Sequence, residues 1–118
     1  MKKKLMIFGA KENAEMAAFY IKRDRADLEL LGFVEDVPSR SVLLSLPIIS
    51  KSDFLVEYQP EDCKIFAPYV DGSAREDIQM EMTKLGYDFE SYISPKSEVW
   101  DSTAVGKNCF IQEFNNIQ

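Results

Sequence analysis

Three short polar segments of the sequence carry groups that could bind a phosphorylated ligand. The first follows an apolar run and contains Gly9, Ala10, Lys11 and Asn13. Glycine lets the backbone approach a ligand closely, and the amide groups at the start of a following helix attract phosphate. Lys11 adds a positive charge. The alternative is a plain strand-to-helix turn without a ligand, since an isolated glycine is a weak motif.

The second segment places Glu35 and Asp36 directly after another apolar run. A carboxylate at the end of a strand can accept a hydrogen bond from a base N–H or a ribose hydroxyl. The alternative is that both acids are solvated turn residues, because turns favour Asp for local reasons.

The third segment runs from 70 to 75 and contains Val70, Gly72, Ser73 and Arg75. Its backbone amides at Gly72 and Ser73 could bind phosphate at a helix start, with Arg75 as a phosphate or base contact. The alternative is that Asp71 or Ser73 caps the helix and that Arg75 is an ordinary surface residue.

Several kinds of chemistry are excluded by composition. The 118 residues contain no histidine, so this chain cannot supply an imidazole base. Cys63 and Cys109 form neither a disulfide framework nor a metal-ligand spacing, and a reducing cytoplasm is the simplest setting. We therefore expect no catalytic residue and no metal site here.

The net charge of −6 argues against binding to nucleic acid, and no apolar run is long enough for membrane insertion.

Apolar runs that alternate with helical patterns predict the elements that position these segments. The predicted strands are Lys4–Ala10, Leu28–Asp36, the run LPIIS, Cys63–Val70 and the run FESYIS. Such alternation predicts an α/β fold, a Rossmann-like parallel sheet with flanking helices. Ligands of such sheets bind beyond the carboxyl ends of the strands, where the three polar segments lie.

Three helices are predicted between the strands. Asn13 is the expected N-cap of the first, and Ser52 or Asp53 of the second. The third is expected to be capped by Asp71 or Ser73, to bury Ile78, Met82 and Leu85, and to stop at Gly86.

The last part of the sequence has a period of six. An apolar β-branched residue occurs at Ile93, Val99, Val105, Ile111 and Ile117. One inward aliphatic residue per short strand is typical of a triangular β-helix, in which three hexads make one coil. We therefore predict a Rossmann-like nucleotide-sugar-binding domain at 1–91 and the start of a left-handed β-helix at 92–118. Since about three repeats are usually needed for stability, we expect the chain to be truncated.

Four stretches of the sequence together resemble one family, the PglD/NeuD-type sugar O- and N-acyltransferases with hexapeptide repeats. They are IFGAKENAEMA, GFVED, FAPYVDGSARED and SYISPKSEVWDSTAVGKNCFIQEFNNIQ. The resemblance implies an N-terminal domain that holds a UDP- or dTDP-linked sugar, with Asp36 as the acid that meets the pyrimidine. It also implies a β-helix that forms trimers and binds acetyl-CoA, the acyl donor, between subunits. The family's catalytic histidine would lie beyond Gln118.

The predicted function is therefore the substrate-binding part of an acetyl-CoA-dependent acyltransferase for surface polysaccharide or glycan biosynthesis. We expect this fragment to be inactive alone and to bind no cofactor. We expect its tail either to fray after about Val105 or to mediate self-association. One alternative is a non-catalytic nucleotide-binding or interaction module. A second, an NAD-linked oxidoreductase, is disfavoured by the missing G-x-G-x-x-G and by the six-residue period.

Overall fold

The computed structural model describes residues 2–69, 71–93 and 110–111. They form an α/β fold with a five-stranded, mainly parallel sheet. The strands are β1 (Lys3–Phe8), β2 (Leu28–Glu35), β3 (Val42–Leu43), β4 (Leu46–Ser50) and β5 (Lys64–Phe66). The helices are α1 (Glu12–Asp24), α2 (Lys51–Glu57) and α3 (Gly72–Lys84). This architecture agrees with the α/β prediction.

The sheet order is β3-β4-β2-β1-β5, with β1 pairing in parallel with both β2 and β5. The chain moves from β1 to β2 and β4 on one side, and then returns to add β5 on the other side. The direction of winding therefore reverses at β1. In open α/β sheets, the crevice at such a reversal is where ligands bind.

Each face of the sheet is covered by helices. On one face, α1 packs its small residues Ala14, Ala17 and Ala18 against the sheet. On the other face, α2 contributes Phe54, and α3 contributes Ile78 and Met82. The apolar residues of β1 are divided between the two faces by strand alternation, so β1 is buried on both.

A β-bulge in β2 determines on which face of the sheet the side chains at the end of this strand lie. Leu5 pairs with Leu30, but Met6 pairs with Gly32, so Leu31 is an extra residue in β2. After the bulge, Phe33 packs on the α1 side and Val34 on the α2–α3 side. By continued alternation, Glu35 then lies on the side of α1.

Two of the predicted helix starts were wrong. Helix α1 has Lys11 at its N-cap, and Asn13 lies inside the first turn. Helix α2 is capped by Ser50, whose hydroxyl accepts a hydrogen bond from the Asp53 amide at 3.1 Å. In α3 the predicted Asp71 is the cap. The prediction that Leu85 is buried was also wrong, because the helix ends at Lys84 and Leu85 is 49% exposed at the C-cap.

The strand predictions differ from the structure mainly in extent. Of the predicted Cys63–Val70 strand, Lys64–Phe66 forms β5. Of the predicted FESYIS strand, Phe89 forms a bridge with Ile65 of the sheet, and Tyr92–Ile93 forms a separate short strand. Strand β3 was missed. It forms a hairpin with β4 around Leu44 and Ser45, which both have positive φ.

The six-residue pattern falls largely outside the described residues, since Val99, Val105 and Ile117 are not among them. Within the described part, β6 (Tyr92–Ile93) and β7 (Phe110–Ile111) form a parallel pair. Tyr92 is the partner of Phe110, and Ile93 is the partner of Ile111.

The segment leading to β6 is attached to the end of α1. The Tyr92 hydroxyl donates a hydrogen bond to Asp24, and its ring stacks on Tyr20 with 5.6 Å between centroids. Arg25 donates to the Ser91 carbonyl oxygen at 3.0 Å. No helix in the described residues is long and apolar enough to cross a membrane.

Candidate functional site

A cavity of about 490 Å³ lies at the carboxyl ends of β1, β2 and β5, where the winding of the sheet reverses. We call it the switch-point cavity. Three connections build it: the turn from β1 into α1, the end of β2, and the residues after β5. Its walls consist of Phe8, Gly9, Ala10, Lys11, Glu12, Asn13, Ala14, Glu35, Asp36, Pro68 and Tyr69.

The backbone at Gly9 explains the shape of the cavity floor. Gly9 has φ +104°, a left-handed conformation that favours glycine. A Cβ at this position would lie 3.3 Å from Cε1 of Tyr69. The Gly9 amide also donates to the Val34 carbonyl oxygen at 2.7 Å, which ties the turn to β2. Glycine is therefore required both for the turn and for the close approach of Tyr69.

The N-cap and the first turn of α1 line this cavity, and the same turn carries the carboxylates of Glu12 and Glu15. Lys11 at the N-cap makes no side-chain capping hydrogen bond, whereas Ser50 and Asp71 cap α2 and α3. The first intrahelical bond runs from the Glu15 amide to the Lys11 carbonyl oxygen. Backbone amides at a helix start carry a partial positive charge, so this end of α1 is suited to an anionic group.

Two side chains hold the loops around the cavity. Asn13 donates from Nδ2 to the Pro68 carbonyl oxygen at 2.9 Å, and so links α1 to the segment after β5. Arg40 donates from Nη2 to the Ala10 carbonyl oxygen at 2.8 Å, and so links the loop after β2 to the turn after β1. The cavity walls are thus cross-connected rather than independent.

The carboxylates at the end of β2 have different surroundings. The Asp36 side chain is 79% exposed, and its Oδ1 lies 3.6 Å from Nζ of Lys51. Lys51 is in turn hydrogen-bonded to Glu81 at 3.0 Å and 3.1 Å. The Glu81 hydrogen bond, followed by the charge of Asp36, raises the pKa of Lys51 and keeps it protonated. Asp36 is therefore oriented by a cation but remains open to a ligand.

Tyr69 is half-buried in the cavity wall. Burial, followed by the nearby charges of Asp36 and Glu35, raises the pKa of Tyr69 to about 12. Its hydroxyl is accordingly neutral at physiological pH.

Six of the predicted site residues line the switch-point cavity: Gly9, Ala10, Lys11, Asn13, Glu35 and Asp36. The described residues of the third predicted segment, 71–75, are not among those that line the cavity. Asp71 accepts hydrogen bonds from the amides of Ser73 and Ala74, and nothing within 4 Å would meet a Cβ at Gly72. Val70 lies outside the described residues. A ligand role for Gly72, Ser73 and Arg75 stays a prediction.

Sequence reasoning missed two residues at the site, Tyr69 and Arg40. Tyr69 immediately follows Pro68 near the end of a predicted strand, a position that could have been recognised as a ligand edge. Arg40 offers no comparable signal, because its contact with Ala10 joins residues 30 positions apart. Within the described residues, no cluster of three or more His, Cys, Asp or Glu is arranged to hold a metal ion.

Comparison with solved structures identifies the fold more closely. The chain is similar to the acetyltransferase domain of PglB from Neisseria gonorrhoeae FA1090, which was solved in complex with acetyl coenzyme A. The TM-score is 0.69 at 18% sequence identity, over 96% of this chain and 54% of that one. The chain thus spans about half the length of the PglB domain and shares its fold. No protein-family model matches the sequence, and no curated protein matches it either.

Proposed function

We propose that this chain is the acceptor-substrate part of an acetyl-CoA-dependent acyltransferase, and that the switch-point cavity binds a pyrimidine nucleotide-linked sugar. The nucleotide would be UDP or dTDP. The acyl group would be transferred to an amine or a hydroxyl of the sugar, in the biosynthesis of a surface polysaccharide or glycan.

The composition of the cavity supports a nucleotide as the ligand. Its apolar wall suits a flat ring, and the carboxylates of Glu35 and Asp36 can accept hydrogen bonds from a base N–H or a ribose hydroxyl. The uncapped start of α1 offers backbone amides to a phosphate group and Lys11 offers a cation, although the carboxylate of Glu12 lies in the same turn. These groups surround one cavity at the reversal point of the sheet.

The observation that carries the acyltransferase part of the proposal is the register of β6 and β7. Tyr92 pairs with Phe110 and Ile93 with Ile111, a separation of 18 residues (110 minus 92). Three hexads make one coil of a triangular β-helix, so successive coils bring positions 18 apart into parallel register. The pairing therefore supports a coil of a left-handed β-helix that begins at residue 92.

The similarity to the PglB domain supports the same proposal. That domain is an acetyltransferase and holds acetyl coenzyme A. We propose acetyl-CoA as the donor for the enzyme to which this chain belongs, with a trimer as the assembly. The sugar nucleophile would attack the thioester carbonyl, and its proton would pass to a general base as the CoA thiolate leaves. These 118 residues contain no histidine, so we assign them to acceptor binding and not to proton transfer.

The proposal is tested by calorimetric titration of this chain with UDP-, dTDP- and CMP-linked amino sugars, and with NADH. We expect a UDP- or dTDP-sugar to bind with a Kd below about 1 mM and NADH to bind more weakly. Binding of NADH alone would favour a dinucleotide enzyme, and binding of none would refute a nucleotide site. In a parallel assay we expect no CoA release from acetyl-CoA; turnover near 1 per second would contradict the assignment to acceptor binding alone.

A further inference from the structure

We infer that Tyr69 is the stacking platform of the switch-point cavity, on which the planar base of the bound nucleotide rests. The inference builds on the proposed function, since it names the residue that recognises the flat part of the ligand.

The backbone around Tyr69 is held by hydrogen bonds, and one edge of the ring lies beside Gly9. The Cε1 atom of Tyr69 lies 3.3 Å from where a Gly9 side chain would begin, so the ring edge fills the space that glycine leaves open. The Tyr69 amide donates to the Ala67 carbonyl oxygen at 2.9 Å. The preceding carbonyl, of Pro68, accepts the Asn13 side chain at 2.9 Å. A ring held in this way loses little conformational freedom on binding a ligand.

The chemistry around the ring fits a flat heterocycle with a polar edge. Besides Tyr69, apolar groups of Phe8, Ala10, Ala14 and Pro68 contribute to the walls. The carboxylates of Glu35 and Asp36 make another part of the wall polar, and in the ionised form they only accept hydrogen bonds. A pyrimidine that stacks on Tyr69 would keep its faces on apolar surface and direct its single N–H, at N3, to one of the carboxylates, which leaves the other for a ribose hydroxyl. Stacking tolerates any base, so the carboxylates would provide the selectivity.

A purely structural role is the competing explanation. Tyr69 packs partly against the buried cluster on the α2–α3 side of the sheet, and so does Tyr58. Tyr58 does not contribute to the cavity walls. The chain therefore offers a matched control: the same residue type, half-buried against the same cluster, but away from the proposed ligand.

The experiment compares Tyr69→Leu, Tyr69→Phe and Tyr58→Leu with the unchanged protein. The probes are UDP and dTDP, and inorganic pyrophosphate as a ligand without a base. Kd values come from calorimetry or NMR titration. Ring-current shifts of the pyrimidine H6 proton report stacking directly, and a purely structural role would not produce them.

We expect Tyr69→Leu to weaken nucleotide binding about tenfold and to abolish the H6 shift. Tyr69→Phe should bind within about threefold of the unchanged protein, because the ring is retained. Pyrophosphate binding should be the same in all variants, and Tyr58→Leu should leave every Kd unchanged.

The inference is overturned if Tyr69→Leu binds nucleotide normally, or if it loses nucleotide and pyrophosphate to the same degree. The first of these results leaves the proposed function intact. If the unchanged protein binds neither nucleotide, the proposed function and the inference both fail.

Discussion

Substitution of Asp36 distinguishes a ligand-binding residue from an ordinary turn residue. Loss of a ligand contact would lower affinity, whereas loss of a turn contact would lower stability. The Asp36 carboxylate is 79% exposed, and its ion pair with Lys51 spans 3.6 Å. Exposed ion pairs contribute less than about 1 kcal/mol to stability. A structural role for Asp36 is therefore small, and a selective loss of affinity in a variant would be informative.

We predict that Asp36→Asn weakens binding of the preferred UDP- or dTDP-sugar by about tenfold or more, with little change in Tm. Asp88→Asn is the matched control, because Asp88 is 63% exposed and lies 3.8 Å from Lys64. Calorimetry and thermal unfolding of both variants provide the comparison. A large fall in Tm with unaltered affinity for Asp36→Asn would assign the residue to structure.

Gly9 offers a second test at the residue scale. We predict that Gly9→Ala lowers the free energy of unfolding by about 1–3 kcal/mol, because its φ of +104° is unfavourable for alanine and its Cβ would press on Tyr69. Gly72→Ala is the control, since no atom within 4 Å would meet the new Cβ. Urea unfolding measures both. Equal effects of the two substitutions would show that the Gly9 turn is not a constraint.

The pair of Arg25 and Asp27 predicts a pH dependence of stability. The hydrogen bond from Arg25 lowers the pKa of Asp27 to about 2 from its ordinary value of 3.8. A carboxylate with a depressed folded-state pKa stabilises the fold above pH 3.8, and this contribution is lost as the pH falls through about 2.

We predict that Asp27→Asn destabilises the protein by less than about 1 kcal/mol at pH 7, since the Asp27 side chain is half exposed. The difference from the unchanged protein should vanish near pH 2. Urea unfolding at the two pH values tests this. An undiminished difference at the lower pH would mean that the carboxylate charge is not responsible.

At the scale of elements, the hairpin of β3 and β4 has turn residues whose types do not favour the backbone conformation that they adopt. Leu44 and Ser45 have φ of 53° and 65°. Two central residues with positive φ define a type I′ turn, which favours Asn and Gly. The leucine is also poorly placed, since it is partly exposed at the hairpin tip. The turn forms because β4 is held in the sheet by β2.

We predict that the double substitution Leu44→Asn and Ser45→Gly stabilises the protein by about 1 kcal/mol. Ser41→Gly is the control, at the residue that precedes β3, because Ser41 has no positive φ and glycine there increases the entropy of the unfolded chain. The midpoints of urea unfolding of the variants and the unchanged protein measure these changes in stability. Destabilisation by the double substitution would indicate that the Leu44 side chain contributes packing that outweighs the turn strain.

The elements also show where sequence reasoning has its limit. The alternation of apolar runs predicted β1, β2, β4 and the three helices, because burial repeats locally along the chain. The β2 bulge was not predictable in this way. It places Gly32 where a Cβ would meet the Pro47 carbonyl oxygen at 2.5 Å, a contact between residues 15 positions apart. That close approach depends on the assembled sheet.

For the whole molecule, the sequence predicted that several polar segments meet at one edge of the sheet. Gly9, Lys11 and Asp36 line one cavity there, since the carboxyl ends of parallel strands meet at that edge, and their role in binding a ligand stays a prediction. Tyr69 and Arg40 were missed because their roles depend on contacts across loops. In the third segment, Asp71 accepts hydrogen bonds from the amides of Ser73 and Ala74, and a ligand role for Gly72, Ser73 and Arg75 stays a prediction.

The central claim, a nucleotide-sugar site in the switch-point cavity, is tested most directly by amide NMR of this chain titrated with UDP- and dTDP-sugars. We predict saturable shifts at 9–14, 35–36, 67 and 69, and none at 61–64 at the other end of β5. Shifts confined to 71–75 would contradict the assignment of the cavity, and a spectrum unchanged at millimolar ligand would contradict the account as a whole.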